Sequence, residues 1–497
     1  MRAAWRVPQL IKQRFISLTV FVKTSYYVFI FNQLVRVEMD ASMERFEEFV
    51  AMIAGHLGHA DRVGPFRGYC AGLMLPGKRK SVEPMAARVA PTEVRSAHQR
   101  LHHFVADAAW SDAAVMGAVR DHVLAGAGKR LGKPEVLIVD DTGFPKQGKH
   151  SVGVARQYCG QLGKQDNCQV AVSVSLANEH YSVPVGYRLY LPEDWSADLV
   201  RRKTAKVPEE IEFATKPVIA LRLIDQARAA GKAPHTVVAD AGYGVNTAFR
   251  DQLTAWALQY VVGITGVVKV WPAGEQPLPP APWSGRGRKP TSPRRDAQHQ
   301  PISVKALAKA LTARQWNNVT WREGTNQALS SRFAAVRVRC AHAGRTLRAE
   351  EWLLIEWPKG ESEPIKYFLS TLPANTPIQE LVRVAKLRWR IERDYQDLKQ
   401  EFGLDHFEGR SWRGFHHHAT LSIAAYGFIL TERLVHPKKT AQHPVLGEIP
   451  ALPTDFRPRG APASPTPRTG LDRNLAPGDR RRADRAPALL RVLRKTN

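Results

Sequence analysis

The sequence predicts a mixed α/β fold in which helices cover the faces of one sheet. Short β-branched runs at 136–139 and 236–239 are typical of strands buried on both faces. Two further strands are predicted at 169–176 and 181–190, with a tight turn between them, and a helix at 216–230 precedes the last run. Three meandering strands, a helix and another strand indicate a mixed sheet with flanking helices.

Size and charge limit the function classes. A chain of 497 residues is long enough for several domains. Its 72 Lys and Arg against 46 Asp and Glu give a net charge of +26, and this excess is spread along the chain. The charge predicts a polyanionic partner, most simply nucleic acid, while a membrane surface and a ribosomal role are the competing interpretations.

The cysteines argue against a disulfide framework. Cys70, Cys159, Cys168 and Cys340 form no CxxC pair and have no His partners at zinc-finger spacing. A structural zinc site is therefore not expected, and the usage fits a reducing cytoplasm.

Residues 1–38 are interpreted as a non-native or disordered extension. The apolar stretch 15–35 is interrupted by Lys23, and no small-residue cleavage site follows it. A helical pattern begins only after Met39 or Met43, either of which would serve as a start.

Residues 39–130 are predicted to form a helical, DNA-binding domain. Helical patterns cover 43–50, 98–110 and 113–124, and the basic turn segment 76–81 lies between them. DNA contact is the functional interpretation of its basic character.

One amphipathic segment near the C-terminal end carries both a core stripe and a charged face. Leu387, Ile391, Tyr395, Leu398 and Phe402 recur at the spacing of a helix that lies on a core.

On the neighbouring face of that helix, Arg388, Glu392 and Lys399 fall within an arc of about 40°. Arg388 and Glu392 are either an ordinary surface ion pair or a metal-binding acid beside phosphate-binding bases.

Three carboxylates suggest a site of hard oxygen donors. Asp140 and Asp240 each follow a predicted buried strand, where they are either turn caps or functional groups at strand ends. With Glu392 they make a ligand set without His or Cys, which suits Mg²⁺ or Mn²⁺. Two such ions bridged by one Asp would support phosphodiester chemistry.

Several motifs together resemble bacterial insertion-sequence transposases of the DDE class, in particular the group whose ribonuclease-H-like core is interrupted by a β-rich insertion. The resemblance covers roughly residues 45–435. It rests on Asp140 to Lys149 (DDTGFPKQGK), Gly153 to Lys164 (GVARQYCGQLGK), Ala239 to Gly244 (ADAGYG) and Arg388 to Glu392 (RWRIE).

The resemblance implies a cut-and-paste DNA transposase. Asp140, Asp240 and Glu392 would bind two divalent ions, Mg²⁺ or Mn²⁺, with Asp141 as the alternative to Asp140. The implied partners are the terminal inverted repeats and target DNA, which a homodimer would bind. No membrane partner is implied. The implied location is the bacterial cytoplasm, in association with the nucleoid.

With this resemblance the chain divides further, and each boundary is an expectation. The expected parts are a first catalytic-core segment at 131–250, a β-rich insertion at 251–382 with a basic Pro/Gly loop at 271–302, the last core helices at 383–436, and a disordered basic tail at 437–497.

The family's Tyr-Arg-Glu-Lys signature is matched by Arg388, Glu392 and Lys399, and its Tyr position falls on Ala385. Arg388 and Lys399 are therefore implied to bind the phosphates beside the cleaved bond. Tyr395 is interpreted as a partial substitute for the absent Tyr. The family's base-stacking aromatic is assigned to Trp321, for which core packing is the alternative.

Basic residues near the first Asp are candidate contacts to the DNA backbone. They are Lys146, Lys149, Arg156 and Lys164, and a solvated basic loop is the alternative for each. The run His416 to His418 is interpreted as a helix start with phosphate-binding candidates, because consecutive His side chains diverge on a helix and cannot easily share a metal.

Two other functions compete with a transposase. One is a related nuclease that cuts DNA without joining it. The other is a catalytically inactive or repurposed DNA-binding protein that derives from a mobile element.

Overall fold

The computed structural model describes residues 41–322, 328–341 and 347–435. They belong to one unit, Met1–Val435, and a second unit, His436–Asn497, lies outside the described residues. The predicted extension 1–38 and the predicted tail 437–497 therefore also lie outside them. In the part of the chain that the structure describes, no helix is long and apolar enough to cross a membrane.

The described chain begins with helices. They are 41–54 (α1), Val63–Met74 (α2), Val82–Val89 (α3), Val94–Ala106 (α4) and Asp112–Leu131 (α5), with a 3-10 turn at Ala60–Arg62. The helices after them are Glu193–Ala197 (α6), Leu199–Thr204 (α7), Lys216–Ala229 (α8), Ala241–Gly244 (α9), Thr247–Ala255 (α10), Val304–Ala310 (α11), Ile378–Lys386 (α12), Trp389–Gln400 (α13) and Trp412–Val435 (α14).

The N-terminal helices pack on the last helix instead of standing apart. The rings of Phe46 and Phe49 in α1 lie 5.2 and 5.5 Å from the ring of Phe428 in α14. Arg45 adds an ion pair to Glu432, with its Nη2 2.7 Å from Oε2. The DNA-binding role of this region stays a prediction.

The strands form one sheet. They are Val136–Pro145 (β1), Ala155–Cys159 (β2), Lys164–Ala177 (β3), Ser182–Leu189 (β4), Thr236–Ala239 (β5), Gln259–Ile264 (β6), Lys269–Pro272 (β7), Ile302–Ser303 (β8), Asn317–Arg322 (β9), Leu329–Cys340 (β10), Glu351–Glu356 (β11) and Lys366–Ser370 (β12). Their order is β2-β3-β1-β5-β6-β12-β11-β10-β7-β8, with β4 paired to β3 and β9 to β10.

The centre of this sheet confirms the predicted fold class. Strand β1 pairs antiparallel with β3, and β3 pairs antiparallel with β4. After the crossover through α8, β5 lies parallel to β1 and β6 lies parallel to β5. Three antiparallel strands followed by parallel strands, with helices on both faces, make a mixed α/β sheet of the ribonuclease-H-like kind.

Each face of the sheet has its own core. On one face, residues of β1 and β5 such as Leu137 and Val237 pack against α5, α8 and α10. On the other face, Ile138 and Val238 pack against α12 and α13. Because successive strand residues point to opposite faces, this alternation assigns every later side chain of β1 to one helix layer or the other.

The prediction that the first strand ends before Asp140 is wrong. Strand β1 continues through Asp140 to Pro145, because its antiparallel partner β3 is long enough to pair with all ten of its residues. Only the parallel ladder to β5 stops there, at the pair Val139 and Ala239. Asp140 and Asp240 are thus the next residue on each of two adjacent strands.

The β-rich part of the chain extends the same sheet. Strand β6 lies inside the range 251–382 that the sequence assigns to an insertion, yet it pairs in parallel with β5 as part of the central sheet. From β6 the sheet continues through β12, β11 and β10. The basic segment 271–302 connects β7 to β8 at the far edge.

The apolar stripe predicted for residues 387–402 is confirmed. Leu387, Ile391, Leu398 and Phe402 are all buried, and α13 begins at Trp389. Burying each large aliphatic side chain contributes about 1.5–3 kcal/mol to the stability of the fold. The stripe therefore determines which face of α13 points away from the core.

The interpretation of His416, His417 and His418 as phosphate-binding candidates is wrong. All three side chains are buried in α14, and their ring nitrogens hydrogen-bond to backbone groups or, at His418, also to Tyr69. Burial lowers the pKa of each ring to about 4. Helix α14 is enclosed on nearly all sides, so diverging His side chains still meet protein.

Candidate active site

A cleft of about 320 Å³ opens where β5, β6 and β12 meet the junction of α12 and α13. Its lining is charged on one side and aromatic or aliphatic on the other. The lining residues are Asp240, Ala241, Gly263, Ile264, Ile365, Lys366, Tyr367, Phe368, Ala385, Lys386, Arg388, Trp389 and Glu392.

Asp140 lies in β1, on the face that carries α13. One carboxylate oxygen, Oδ2, is 2.7 Å from Nη1 of Arg388, and the other accepts a 2.8 Å hydrogen bond from the backbone N–H of Asp141. The residue is only 8% exposed. Burial raises the pKa of Asp140 to about 7, the Arg388 charge opposes this rise, and the charge of Asp240 adds to it.

Asp240 caps the short helix α9. Its Oδ1 accepts a 2.9 Å hydrogen bond from the backbone N–H of Gly242. Burial raises the pKa of Asp240, the Arg388 charge opposes that, and the charge of Asp141 adds to it. The charge of Arg388 therefore opposes the rise in pKa at both Asp140 and Asp240.

Glycines explain how Asp240 reaches this position. A Cβ on Gly244 would lie 1.9 Å from the carbonyl oxygen of Gly263, and a Cβ on Gly263 would lie 2.9 Å from the backbone nitrogen of Ala241. The backbone of α9 thus rests directly on β6. The closeness of this contact requires glycine at both positions.

We expect Gly244→Ala to lower the melting temperature by about 3 °C or more, because overpacking costs roughly 1–3 kcal/mol. Differential scanning calorimetry would measure the shift. Gly160→Ala is the matched control, since a Cβ there meets nothing within 4 Å. Equal melting temperatures for the two variants would contradict the close-contact explanation.

Glu392 completes the group from α13. Its carboxylate forms an i,i+4 ion pair with Arg388, and its side chain is 56% exposed toward the cleft. Arg388 therefore bridges Glu392 and Asp140. The geometry shows the ion pair, and the interpretation of Glu392 as a metal ligand stays a prediction.

The carboxylates are oxygen donors of the kind that a divalent cation prefers, but they are not gathered into a metal site, and the Arg388 guanidinium pairs with two of them. Among the described residues, no three His, Cys, Asp or Glu side chains are close enough together to hold a metal ion. The Arg388 guanidinium supplies the positive charge that Asp140 and Glu392 share. An all-oxygen set with a raised pKa at Asp140 is one that Mg²⁺ or Mn²⁺ would suit. The ligand assignment stays a prediction.

Metal affinity should depend on pH through Asp140. A protonated carboxyl group cannot ligate, so below its pKa of about 7 the proton competes with the metal. We expect Mn²⁺ affinity, measured by isothermal titration calorimetry, to rise by about tenfold in total between about pH 6 and pH 8 and to level off above that. An affinity that is flat across this range would contradict the prediction.

Asp141, the alternative to Asp140, lies on the opposite face of β1. Its Oδ2 is 2.7 Å from Nζ of Lys216, the first residue of α8. Strand alternation separates it from Arg388 and Glu392, although its charge still raises the pKa of Asp240. Of the two aspartates, Asp140 is the one that contacts Arg388, a residue that lines the cleft.

The other residues considered for the predicted phosphate contact are Lys399, Ala385 and Tyr395, and each has different surroundings. Nζ of Lys399 donates to the carbonyl of Gly143 at 2.7 Å and to Gln161 at 3.0 Å, so it braces the end of β1. Ala385 is buried and lines the cleft. Tyr395 does not substitute for the absent Tyr, because it is buried with its hydroxyl 2.8 Å from the Ser173 hydroxyl.

Trp321 is half-buried in β9. Its ring meets Phe333 edge-on at 5.7 Å, and Nζ of Lys386 lies 4.1 Å from the ring centroid. The core-packing alternative accounts for these contacts. A role in base stacking stays a prediction, and residues 323–327, which follow it, lie outside the described chain.

The predicted backbone contacts near β1 fall into two groups. Nζ of Lys146 is held 2.6 Å from the carbonyl of Phe407, and burial lowers the pKa of its amine. Lys149, Arg156 and Lys164 are exposed, although Lys164 pairs with Asp166, Nζ to Oδ2, at 3.1 Å. Lys149 and Arg156 are the freer candidates, and their DNA contacts stay predictions.

Sequence reasoning missed two cleft residues. Trp389 lines the cleft between two guanidinium groups, with Arg322 at 4.1 Å and Arg390 at 4.4 Å from its ring centroid. Lys386 lines it too and pairs with the buried Glu356, Nζ to Oε2, at 2.8 Å. The Arg-Trp-Arg run at 388–390 was the available signal for Trp389, whereas nothing local marks Lys386.

Comparison with known proteins identifies the family of the chain. Residues 53–328 match the family of DDE superfamily endonucleases, and the chain belongs to that family. The match contains Asp140 and Asp240 and ends before Glu392.

The chain is also 31% identical, over 200 residues, to the probable transposase for insertion sequence element IS701 of Microchaete diplosiphon. That alignment covers 40% of this chain and 48% of the relative, so the chain spans about half the length of the relative it matches. The expected resemblance to insertion-sequence transposases of the DDE class is confirmed.

Proposed function

We propose that this protein is a DNA transposase that cleaves DNA at the ends of an insertion sequence and transfers the freed strand into target DNA. The observation that supports this most is the position of Arg388. It pairs with Asp140 and Glu392, its charge opposes the rise in the pKa of Asp240, and it lines one cleft together with Asp240 and Glu392. Family membership supports phosphodiester chemistry, and the net charge of +26 supports a nucleic-acid substrate.

In this proposal Asp140, Asp240 and Glu392 hold one or two divalent ions, Mg²⁺ or Mn²⁺. When bound, such ions activate a hydroxyl nucleophile and stabilise the leaving oxygen. The carboxylates act as ligands rather than as general bases. Arg388 then contacts a phosphate of the bound DNA, because its guanidinium geometry suits phosphate oxygens as well as carboxylates.

The proposed partners are two terminal inverted repeats and a target duplex. Bringing two ends together requires two active sites, so we propose a homodimer on DNA. Lys149, in the connection after β1, and Arg156, in β2, are proposed contacts to the DNA backbone, since both are exposed. Lys146 and Lys399 would join them only by leaving the carbonyl groups that they now hold.

A cleavage assay on DNA that carries the element's own ends tests the proposal. Wild-type protein should cut the ends only with Mg²⁺ or Mn²⁺, and Asp240→Ala and Glu392→Ala should bind the same DNA without cutting it. Asp225→Asn is the control, because this exposed carboxylate on α8 pairs only locally with Arg228.

Pre-cleaved ends separate the proposal from its alternatives. Joined products with target DNA support a transposase, whereas cutting without joining would indicate a nuclease. If the wild type and both variants bind the ends equally and none cuts, the protein is a DNA-binding derivative of a mobile element.

A further inference from the structure

The connection between β7 and β8 forms a closed basic loop at the far edge of the sheet. Leu278 and Arg294 close it with reciprocal backbone hydrogen bonds of 3.0 and 2.9 Å. Every residue from 282 to 289 is exposed. We call residues 279–293 the arginine loop, after its tip, which reads Gly285, Arg286, Gly287, Arg288, Lys289, Pro290.

The tip carries positive charge that the surrounding protein does not neutralise. Within the described residues, Arg286, Arg288 and Lys289 make neither a salt bridge nor a side-chain hydrogen bond. The nearby carboxylate of Asp296 is engaged by His299, whose Nδ1 lies 2.9 Å from Oδ1. Three adjacent free cations favour a polyanionic ligand.

The backbone of the tip forms a turn at two glycines that have no close neighbours. Gly285 and Gly287 have φ values of 81° and 72°, and a Cβ on either would meet nothing within 4 Å. The indole N–H of Trp283 donates to the carbonyl of Gly287 at 3.2 Å, which braces this turn. The two glycines therefore place no side chain next to Arg286. In the described structure, no other residue comes close enough to require glycine at these positions.

We propose that the arginine loop enters the minor groove of duplex DNA and favours a run of A·T pairs, with Arg286 and Arg288 as the inserted side chains. The minor groove is only about 6 Å wide, so a backbone that enters it must lack side chains beside the inserted group. A·T runs narrow the groove and deepen its negative potential, which attracts arginine. Guanidinium is also more weakly hydrated than ammonium, so Arg loses less than Lys on entering.

The sheet sets where this contact would fall. Strand β7 is five strands from β5 in the sheet order, which corresponds to about 24 Å at the usual strand spacing. One helical turn of DNA is about 34 Å long. A duplex whose end lies at the cleft and which runs along the sheet toward β7 would reach the arginine loop within its first turn. The inference rests on the proposed function in taking DNA as the partner and the cleft as the place where its end binds.

Binding of the full chain to three matched duplexes, followed by fluorescence anisotropy, tests the proposal. One duplex carries A·T pairs at the test positions, one carries G·C, and one carries inosine·C. Inosine lacks the guanine amino group, so its minor groove resembles that of A·T while its major groove resembles that of G·C. Wild type should bind the A·T and inosine duplexes about tenfold more tightly than the G·C duplex.

Two double variants separate shape from charge. Arg286→Ala with Arg288→Ala should lose the preference for A·T and inosine duplexes. Arg286→Lys with Arg288→Lys should keep the salt dependence and still lose most of that preference. Arg314→Ala with Lys359→Ala is the control, because it removes two other exposed cations and should leave the preference unchanged.

A preference that survives Arg286→Ala with Arg288→Ala, or an inosine duplex that binds like G·C, would overturn the proposal. If Arg286→Ala with Arg288→Ala loses affinity equally for all three duplexes, the loop contacts only phosphates, and this result also overturns the proposal. None of these outcomes depends on cleavage, so failure of the proposed transposase activity would be seen separately in the cleavage assay.

Discussion

Asp140→Asn should lower metal-dependent DNA cleavage by more than about 100-fold. Loss of a residue that only hydrogen-bonds to a metal ligand already costs up to about 100-fold, so loss of a ligand itself should cost more. The carboxylate faces Arg388 and the α13 side of the sheet, one residue beyond the point where the ladder of β1 and β5 ends. Asn keeps the shape of the side chain and one oxygen, but it removes the negative charge that a divalent cation requires.

Asp141→Asn is the matched comparison, since it makes the same chemical change one residue away. Its carboxylate lies on the other face and pairs with Lys216. Cleavage should fall by no more than about tenfold, the lower end of the range for a residue that only supports a metal ligand, because Asp141 pairs with Lys216 on the other face of the strand. Single-turnover cleavage of both variants measures the difference, and equal losses would contradict the assignment of Asp140.

Arg388→Gln should bind Mn²⁺ more tightly than wild type while cleaving DNA far more slowly. In the structure the guanidinium lies 2.7 Å from Asp140 and also pairs with Glu392, so a metal must displace it before these two carboxylates can ligate. Removing a cation near two ligands should raise metal affinity by about tenfold, the effect of roughly one pKa unit of charge interaction.

The loss of cleavage has a separate cause. Once displaced, Arg388 is proposed to contact a phosphate, and deletion of such a charged contact costs roughly 100-fold in rate. Calorimetric titration of Mn²⁺ without DNA gives the first result, and cleavage gives the second. Arg393→Gln is the control, because Arg393 pairs with Asp397 on the same helix, away from the cleft. Weaker or unchanged Mn²⁺ binding by Arg388→Gln would contradict this account.

Local sequence pattern was enough for the elements whose burial repeats along the chain. The stripe from Leu387 to Phe402 predicted the buried face of α13, and the run 236–239 predicted β5. It was not enough for the length of β1, because that depends on pairing with β3 across a distance in sequence. The error over His416 to His418 has a similar cause, since only the packing of α14 decides their exposure.

The sequence proposed residues for the site but could not give their arrangement. Asp140 and Asp240 were chosen because each follows an apolar run, and Glu392 because it lies on the charged face of a predicted helix; their role as metal ligands stays a prediction. That Arg388 would bridge Asp140 and Glu392 depends on how α13 docks on β1, which no local pattern records. The choice between Asp140 and Asp141 needed the same information, since the apolar run before them is buried on both faces.

Whether Asp140, Asp240 and Glu392 hold the metal can be tested by replacing Mg²⁺ with Fe²⁺ and mapping where the iron-generated hydroxyl radicals cut the protein chain. We expect backbone cuts at 140, 240 and 392 together, suppressed by excess Mg²⁺ and lost in Asp240→Ala. Cuts elsewhere, or cuts that persist in Asp240→Ala, would contradict this assignment.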